Sequence, residues 1–533
     1  MTAAASLFGL VDHDTSAVDD LSEFGYGQEL HRSIGMYASF AAGFSFVLIL
    51  TIVFQLFGLG YSFAGPFFFW TWPVVFCGQI LVALCFAELA GRYPISGAIY
   101  QWSRRLGGHI VGWFAGWTMI IAQIVTVAAA AIAMQAVLPA IWSGFQLVGG
   151  DPSITTVSGA TNAIVLGLIM LIITTLINSV AVRVMAVVNA AGVTMELVGA
   201  TLLIIALFSN AQRGPGIVLN TEGLDGGFGA LLAASLMAAY VLVGFDSAGE
   251  LSEETHNPRK TAPKTILRAL IASGVGGGLI ILGALMAAPA ITGDIATGGL
   301  AFIVTARLGD VWGRVFLCVV VVAAFVCTLA IQTATTRMIY SMSRDEVLPF
   351  AKHLRKVSRR GATVQAAVLT GVLAAVMLLI NFGHAGVFTA LTSTCIVLLY
   401  IAYLCVTAPM LYRRLEGWPR TLGEQRDEDG EPVFSLGRWG LPVNVLAVTW
   451  GVFMTINLAW PRQAIYDPEG SNVVLQYFAL IVLTVTGVGG VIAYNVKKHD
   501  YRRAIGVLRN SHIEAEAEEA PVPALRSRYA ESR

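Results

Sequence analysis

Two carboxylates lie inside stretches of sequence that are otherwise apolar. Asp246 lies near the end of one such stretch, and Glu196 lies in the middle of another. An ionised acid at the centre of a bilayer costs about 3 kcal/mol on insertion scales. Each carboxyl should therefore be paired, face a wet cavity or be protonated. The functional interpretation is a proton-accepting or cation-sensing group; the alternative is a protonated carboxyl bonded to a neighbouring helix. Glu88 is a weaker case, because it lies near a predicted helix end and its side chain can reach the interface.

The residues around Asp246 depart most from an ordinary membrane helix. Gly244, Asp246, Ser247 and Gly249 follow directly on an apolar half-helix. A helix broken within the membrane frees backbone donors and acceptors, which is tolerable only where they line a cavity. The ends of the two half-helices then direct their dipoles at a bound ion or solute. The alternative is a glycine-rich packing face that ends in a charged loop.

The residues named above must be held by membrane-spanning segments, and the composition of the chain indicates such segments. The chain has 533 residues, of which 56% are hydrophobic and 12% charged, and its mean hydropathy is +0.72. A soluble protein of this length would carry more charge on its surface. The formal net charge of zero gives no argument for nucleic acid as a partner. The cysteines lie in apolar runs without a CxxC pair, so we expect neither a disulfide framework nor a zinc site, and no cofactor is indicated.

Twelve apolar runs are long enough to cross a bilayer, for which about 20 helical residues are needed. Because backbone polar groups find no water in lipid, these runs should be helices. The sequence therefore predicts an all-α polytopic membrane protein with twelve transmembrane helices. The runs are 36–60, 66–90, 109–139, 162–181, 184–208, 228–250, 266–290, 311–342, 363–381, 387–412, 441–460 and 474–495.

Lys and Arg are concentrated in every second loop between these runs. This alternation places both termini in the cytoplasm, because cytoplasmic loops carry the excess of basic residues. We expect a multi-pass protein of the plasma membrane. Its parts are a cytoplasmic N-terminal segment (1–35), helices one to five (36–208), helices six to ten (228–412), helices eleven and twelve (441–495) and a cytoplasmic tail (496–533).

Four motifs in order along the chain resemble those of the amino acid–polyamine–organocation superfamily. Within it they are similar to the amino acid/choline transporter family, which includes GABA permeases. The resemblance extends from about Leu21 to Arg414. The motifs are the lead-in Gly25 to Arg32 (GYGQELHR), Glu88 to Tyr100 after helix two (ELAGRYPISGAIY), Gly244 to Pro258 in helix six (GFDSAGELSEETHNP) and Arg337 to Pro349 ending helix eight (RMIYSMSRDEVLP).

The resemblance implies the LeuT-like fold, with two inverted five-helix repeats followed by two further helices. Substrate would lie at mid-membrane between unwound parts of helices one and six. In relatives the amides of helix one meet the substrate carboxylate, and the carbonyls of helix six meet its amine. The matching residues here are Leu50, Thr51 and Ile52 in helix one, and Val243, Gly244, Phe245, Asp246 and Ser247 in helix six.

Three positions qualify this correspondence. Ile52 stands where relatives usually carry glycine, and a β-branched residue disfavours close backbone approach. Tyr240 falls where relatives place a gating aromatic, which could also contact an amine through cation–π attraction. Glu196 falls about where several sodium-independent relatives carry a lysine, so their ion-coupling step does not transfer directly.

The sequence thus predicts a secondary transporter for an amino acid or related small amine that works by alternating access. GABA or a similar ω-amino acid is the leading single substrate, with a proton or sodium as a possible co-substrate, or exchange instead. Asp246 and Glu196 would couple transport to protonation. One alternative is a choline, ethanolamine or polyamine carrier of the same fold, with Asp246 as counter-ion. Another is a non-transporting amino-acid sensor. A membrane enzyme is not expected, because the sequence shows no nucleophile–base motif or metal-ligand spacing.

Overall fold

The computed structural model describes most of the chain as helix. The described residues are 21–47, 49–154, 156–180, 182–291, 293–379, 387–420, 423, 425–466 and 473–496. Within these ranges the only extended pairing is two isolated bridges, Ile34 with Thr255 and Arg426 with Pro432. The predicted tail 496–533 and the first part of the N-terminal segment lie outside them, except for Val496.

The helices are named in chain order. Those of the first half are α1 (Met36–Val47), α2 (Ile49–Ala64), α3 (Thr71–Arg92), α4 (Ala98–Ile132), α5 (Met134–Ile141), α6 (Val157–Val180) and α7 (Val182–Ser209). Those of the second half are α8 (Gly227–Val241), α9 (Ser247–Glu250), α10 (Pro258–Ala287), α11 (Gly293–Arg344), α12 (Ala351–Leu354), α13 (Val364–Leu379) and α14 (Val387–Leu415). Then follow α15 (Gly440–Ala459), α16 (Gln463–Tyr466), α17 (Val473–Gln476) and α18 (Phe478–Val496).

The described part of the chain has nine helical stretches that are long and apolar enough to cross a membrane. The first, Met36–Arg92, is 57 residues long and covers two of the predicted runs. Two shorter apolar helices, α8 and α13, add to these. The protein is therefore an all-helical, multi-pass membrane protein, and the number of twelve crossings stays a prediction.

The outer faces of these helices are apolar, as a lipid environment requires. Large aliphatic side chains are more than a third exposed along several helices, among them Ile172 and Leu176 on α6, Leu202 and Ile205 on α7, and Leu446 and Ile456 on α15. These exposed positions carry aliphatic and not charged side chains. Lipid is therefore the solvent that suits such a face.

Glycines in left-handed conformations separate surface helices from membrane helices. Gly108 divides α4 with φ of 83°. Gly299 and Gly309 divide α11 with φ of 57° and 72°. Residues other than glycine rarely adopt such angles. The predicted runs 109–139 and 311–342 accordingly begin just after Gly108 and Gly309.

The packing joins the two halves of the chain in matched pairs. The third predicted membrane helix (α4) packs on the tenth (α14), and the fifth (α7) packs on the eighth (α11). The second (α3) packs on the seventh (α10), and the fourth (α6) on the ninth (α13). If each membrane helix from one to five is exchanged with its counterpart from six to ten, the same four pairs result. An inverted repeat requires such a pattern, and the repeat itself stays a prediction.

Glu88 occupies a different environment from the one we expected. Its side chain is fully buried, and its carboxylate accepts hydrogen bonds from Arg414 and from Ser435 Oγ, the latter at 3.0 Å. The expectation that it reaches the interface is wrong, because the chain between α14 and α15 folds over this end of α3 and supplies its partners. The sequence separation of more than 300 residues hides these partners from local analysis.

Candidate functional site

Segment six is interrupted where its glycines and polar residues begin. Helix α8 ends at Val241 and α9 begins at Ser247, so residues 242–246 are not helical. Gly244 has φ of 87°, and a Cβ added there would lie 1.7 Å from the Phe46 ring. Only glycine combines that conformation with this close approach. The alternative of a continuous glycine-rich packing helix is therefore wrong.

One tyrosine hydroxyl holds the interruption together. Tyr403 Oη accepts the Gly244 backbone N–H at 2.9 Å and donates to Asp246 Oδ1. The other carboxylate oxygen, Oδ2, is buried and has no hydrogen-bond partner among the described residues. Asp246 also forms no ion pair within them, although its side chain is buried. This carboxylate thus keeps an acceptor available for a bound cation or proton.

Aromatic side chains form the wall beside this carboxylate. The rings of Phe86, Phe245 and Tyr403 lie 5.0–5.9 Å apart in tilted and edge-on arrangements. All three are buried. Such rings exclude water and present electron-rich faces, which attract an ammonium group.

Segment one approaches the same region from the other half of the chain. Ser247 Oγ donates to the Ala42 carbonyl oxygen at 3.4 Å, and Phe46 lies against Gly244. Leu48, which stands between Val47 of α1 and Ile49 of α2, lies outside the described residues. Thr51 and Ile52 lie in the first turn of α2, and both are buried. Thr51 Oγ1 has no hydrogen-bond partner among the described residues.

Glu196 reaches segment one from α7. Its side chain is buried, and its carboxyl lies beside the Leu50 backbone N–H. A further link between segment one and α7 is the hydrogen bond that Ser45 Oγ of α1 donates to Asn189 Oδ1 at 2.9 Å. The structure therefore brings together Glu196 and the segment-one residues that the resemblance assigned to the substrate carboxylate.

Tyr240 and Val243 flank the interruption. Tyr240 lies in the last turn of α8, is buried, and its hydroxyl contacts the Cys395 thiol of α14. Val243 is buried in the interruption itself. The gating role of Tyr240 stays a prediction.

Sequence reasoning missed three side chains of this site, namely Tyr403, Gln123 and Glu250. Each carries a polar group within an apolar run, and this signal was available. Gln123 Nε2 donates to both carboxylate oxygens of Glu250, at 3.0 and 3.3 Å. Glu250 lies four residues after Asp246, so the two acids are about one helical turn apart.

Beyond Glu250, buried arginines pair with the next two acids. Arg344 donates to both oxygens of Glu253 at 2.8 and 3.0 Å, and Arg337 donates to both oxygens of Glu254 at 2.6 and 3.2 Å. Two-point Arg–carboxylate bonds are the strongest and most directional ion pairs in proteins. They join the end of segment six to the end of α11, at the side of the bundle that we predict to be cytoplasmic. We call this side the arginine-rich end.

The N-terminal segment closes over the arginine-rich end. Backbone N–H groups of Ser33 and Ile34 donate to the Glu254 carbonyl oxygen at 2.9 and 2.8 Å. Tyr26 Oη donates to Asp345 Oδ1 at 2.9 Å, and the Arg344 guanidinium lies 4.0 Å from the centre of the Tyr26 ring. Burial raises the pKa of the Tyr26 phenol, which keeps it a protonated donor. The end of segment six is thus covered on this side.

Metal chemistry has no site in the described part of the chain. No group of three or more His, Cys, Asp or Glu side chains there could hold a metal ion. All six cysteines are free thiols. The site can therefore offer carboxylates, hydroxyls, amides and aromatic faces.

The chain matches the model of one protein family, described as amino acid permease, over residues 34–492. It is 28% identical to the amino-acid permease BAT1 of Arabidopsis thaliana, over 83% of this chain and 88% of that protein. It is 25% identical to a putative amino acid/polyamine transporter of Macrophomina phaseolina, over 76% and 90%. It is 23% identical to the thiamine transporter thi9 of Schizosaccharomyces pombe, over 83% and 81%.

These relatives are permeases or transporters by name, and the matched region includes segment one, the interrupted segment six and the arginine-rich end. The membrane-enzyme alternative is accordingly dropped. The suspected superfamily is confirmed: this chain belongs to the amino acid permease family of the amino acid–polyamine–organocation superfamily.

Proposed function

We propose that the protein is a secondary transporter that moves an amino acid or a related small amine across the plasma membrane by alternating access. One observation carries the proposal. At the interruption of segment six, the buried Asp246 carboxylate has one oxygen held by Tyr403 and the other without a hydrogen-bond partner in the described part of the chain. A buried carboxylate without a cation is costly, so an ammonium group or a proton is the ligand that relieves the cost.

Each end of a zwitterionic substrate has a proposed partner. The ammonium lies at the backbone of 243–247 and the Asp246 carboxylate, beside the aromatic wall. The substrate carboxylate lies near Thr51, whose buried Oγ1 has no hydrogen-bond partner among the residues that the structure describes. Tyr240 closes the outer side. An ω-amino acid such as GABA, with its charges at opposite ends of a short chain, is our leading single substrate.

Glu196 gives the site a route to proton coupling. Its carboxyl lies beside the Leu50 N–H, so an ionised Glu196 competes with a substrate carboxylate for that amide. A proton on Glu196 weakens this competition, because a neutral acid is a poorer acceptor than a carboxylate. Substrate and proton would then bind together, with the substrate carboxylate at Leu50, Thr51 and Ile52. Asp246 takes part because it releases its proton when the substrate ammonium binds to its carboxylate.

A second candidate function is the carriage of a cationic amine such as choline, ethanolamine or a polyamine. Glu196, Asp246 and Glu250 are three buried acids that form no ion pair with the described residues. A substrate that carries positive charge and no carboxylate would suit this excess of acid. The Macrophomina phaseolina relative, named for amino acids and polyamines, is consistent with this option.

The experiment is uptake of labelled GABA into liposomes that contain the purified protein, with unlabelled competitors. Competition by ω-amino acids, and not by choline or polyamines, supports the leading function. Competition by choline or a polyamine alone supports the second. Absence of uptake and of competitor binding across the panel would leave the sensor hypothesis or a substrate outside the panel. A chain truncated after Asn495 that keeps its uptake would argue against that hypothesis.

A further inference from the structure

Three acids follow the interruption of segment six within five residues, and their partners differ in kind. Glu250, Glu253 and Glu254 are all fully buried. Glu253 and Glu254 each receive two hydrogen bonds from an arginine, and Glu253 also accepts the Ser96 backbone N–H at 2.9 Å. These pairs place a guanidinium directly against each acid, which is the partner that best offsets the cost of burying a carboxylate.

Glu250 has an amide as its partner instead. Gln123 Nε2 is its side-chain donor, and the carbonyl oxygen of that amide, Oε1, is buried without a partner among the described residues. An amide can serve both forms of a carboxyl group. Its N–H donates to an ionised carboxylate, and its C=O accepts the O–H of a protonated one. Gln123 is therefore suited to a carboxyl that changes its protonation state, whereas an arginine is not.

We propose that Glu250, held by Gln123, binds the coupling proton on the side of the interruption that faces the arginine-rich end. This inference rests on the proposed function and adds a residue to it. In the step itself an O–H bond of Glu250 breaks, its electron pair stays on the carboxylate, and the proton passes to water at the arginine-rich end. The reverse step loads the site.

The position next to Asp246 links this proton to the substrate. The two carboxyls belong to the same short segment and interact electrostatically. Two neighbouring buried acids resist being ionised together. When a substrate ammonium leaves Asp246, a proton on Glu250 lowers the charge that the empty site would otherwise bury. Glu250 is thus required for net transport, because net transport includes a step in which the substrate-free protein turns its site from one side of the membrane to the other. Exchange of one substrate for another does not include that step.

The other charged groups around Glu250 are already engaged or distant from it. Tyr403 of α14 contacts Asp246, and α1 carries Tyr37 as its single titratable side chain. On the packed helices α10 and α11, the basic groups near this end either pair with acids or are exposed. Those that pair are Arg259 with Glu23, Lys260 with Asp429, Arg337 with Glu254 and Arg344 with Glu253, and those that are exposed are Lys264 and Arg268.

The test compares two transport modes of Glu250→Gln in liposomes. One is accumulation of labelled substrate driven by an imposed proton gradient, with a dye reporting the pH inside. The other is exchange of labelled for unlabelled substrate at equal pH. The variant should fold, because its new N–H₂ group can donate to Gln123 Oε1, and a monodisperse elution profile checks this. Glu346→Gln, which removes a partly exposed acid paired with Arg355 and not with Gln123, is the matched control.

We expect Glu250→Gln to lose at least tenfold in gradient-driven accumulation and in proton entry, while exchange stays within threefold of the original protein. Gradient-driven accumulation that survives in the variant would overturn the proposal. So would an equal loss of both modes, since that would make Glu250 a substrate-binding or structural residue. If the original protein itself shows neither mode, the proposed function fails, and this outcome is distinct from a failure of Glu250 alone.

Discussion

At the scale of single residues, the account depends on carboxylates that differ in their partners. Glu88, Glu253 and Glu254 are buried with arginines. Asp246 and Glu250 are buried with a hydroxyl and an amide. Neutral partners leave an acid able to accept a proton or a ligand cation, and cationic partners do not. The first group is therefore structural, and we assign transport to the second.

Tyr403→Phe tests the hydroxyl that joins both sides of the interruption. The change removes the acceptor of the Gly244 N–H and the donor to Asp246 while it keeps the ring in the aromatic wall. A hydrogen bond to a charged group contributes about 1.5–3 kcal/mol. We expect the Michaelis constant for uptake to rise about tenfold or more, with little change in thermal midpoint. Tyr412→Phe, at an exposed tyrosine of the same helix, should leave uptake unchanged. Equal kinetics in both variants would contradict the role of Tyr403.

The acids that the sequence drew attention to are buried, and their partners could not be predicted. Asp246 and Glu196 stand out because a carboxylate in an apolar run is costly wherever it points. Tyr403 is 157 residues from Asp246 along the chain, and Gln123 is 127 residues from Glu250. Contacts at such separation depend on how whole helices pack, which hydrophobic periodicity does not determine.

At the scale of elements, segment six is two half-helices joined by five non-helical residues. The sequence offered this interruption as one of two interpretations, because glycine, acid and serine in succession disfavour a lipid-facing helix. The exact limits depend on tertiary contacts, namely the approach of Phe46 to Gly244 and the Tyr403 hydroxyl. For segment one, the sequence offered Thr51 as a site residue, and the structure adds Glu196 beside Leu50.

Gly244→Ala tests whether the interruption needs glycine. A left-handed conformation costs other residues about 1–2 kcal/mol, and the new Cβ would overlap the Phe46 ring. We expect a lower thermal midpoint and loss of most uptake. Gly229→Ala in α8, where a Cβ meets nothing within 4 Å, should keep both values. Normal uptake by Gly244→Ala would show that the backbone there is not strained.

At the scale of the whole molecule, the chain is a lipid-exposed bundle covered at its arginine-rich end. The N-terminal segment, the end of segment six, the end of α11 and the segment between α14 and α15 all meet there. Arg32 contacts Glu428, and Lys260 contacts Asp429 at 2.5 Å. Composition and the alternation of basic loops predicted a multi-pass helical protein, because lipid restricts the backbone to few solutions. They could not predict which basic residue meets which acid.

Arg337→Met tests how much this end contributes to stability. The Arg337–Glu254 pair is buried, with exposures of 3% and 0%, and loss of one partner leaves a buried charge at a cost of about 3–5 kcal/mol. We expect a clear fall in the thermal midpoint of the detergent-solubilised protein. The Arg355–Glu346 pair has exposures of 44% and 43%, so Arg355→Met should cost less than about 1 kcal/mol. Similar midpoints for both variants would argue against the buried network.

The central claim is that Asp246 meets a transported ammonium group at the interruption of segment six. The most direct measurement is uptake of the labelled substrate identified by competition, into liposomes containing either the original protein or Asp246→Asn, with equal protein incorporated. The account predicts that the original protein takes up the substrate and that the variant loses at least tenfold, equivalent to about 1.4 kcal/mol. Uptake by Asp246→Asn at the rate of the original protein, with unchanged affinity, would contradict it.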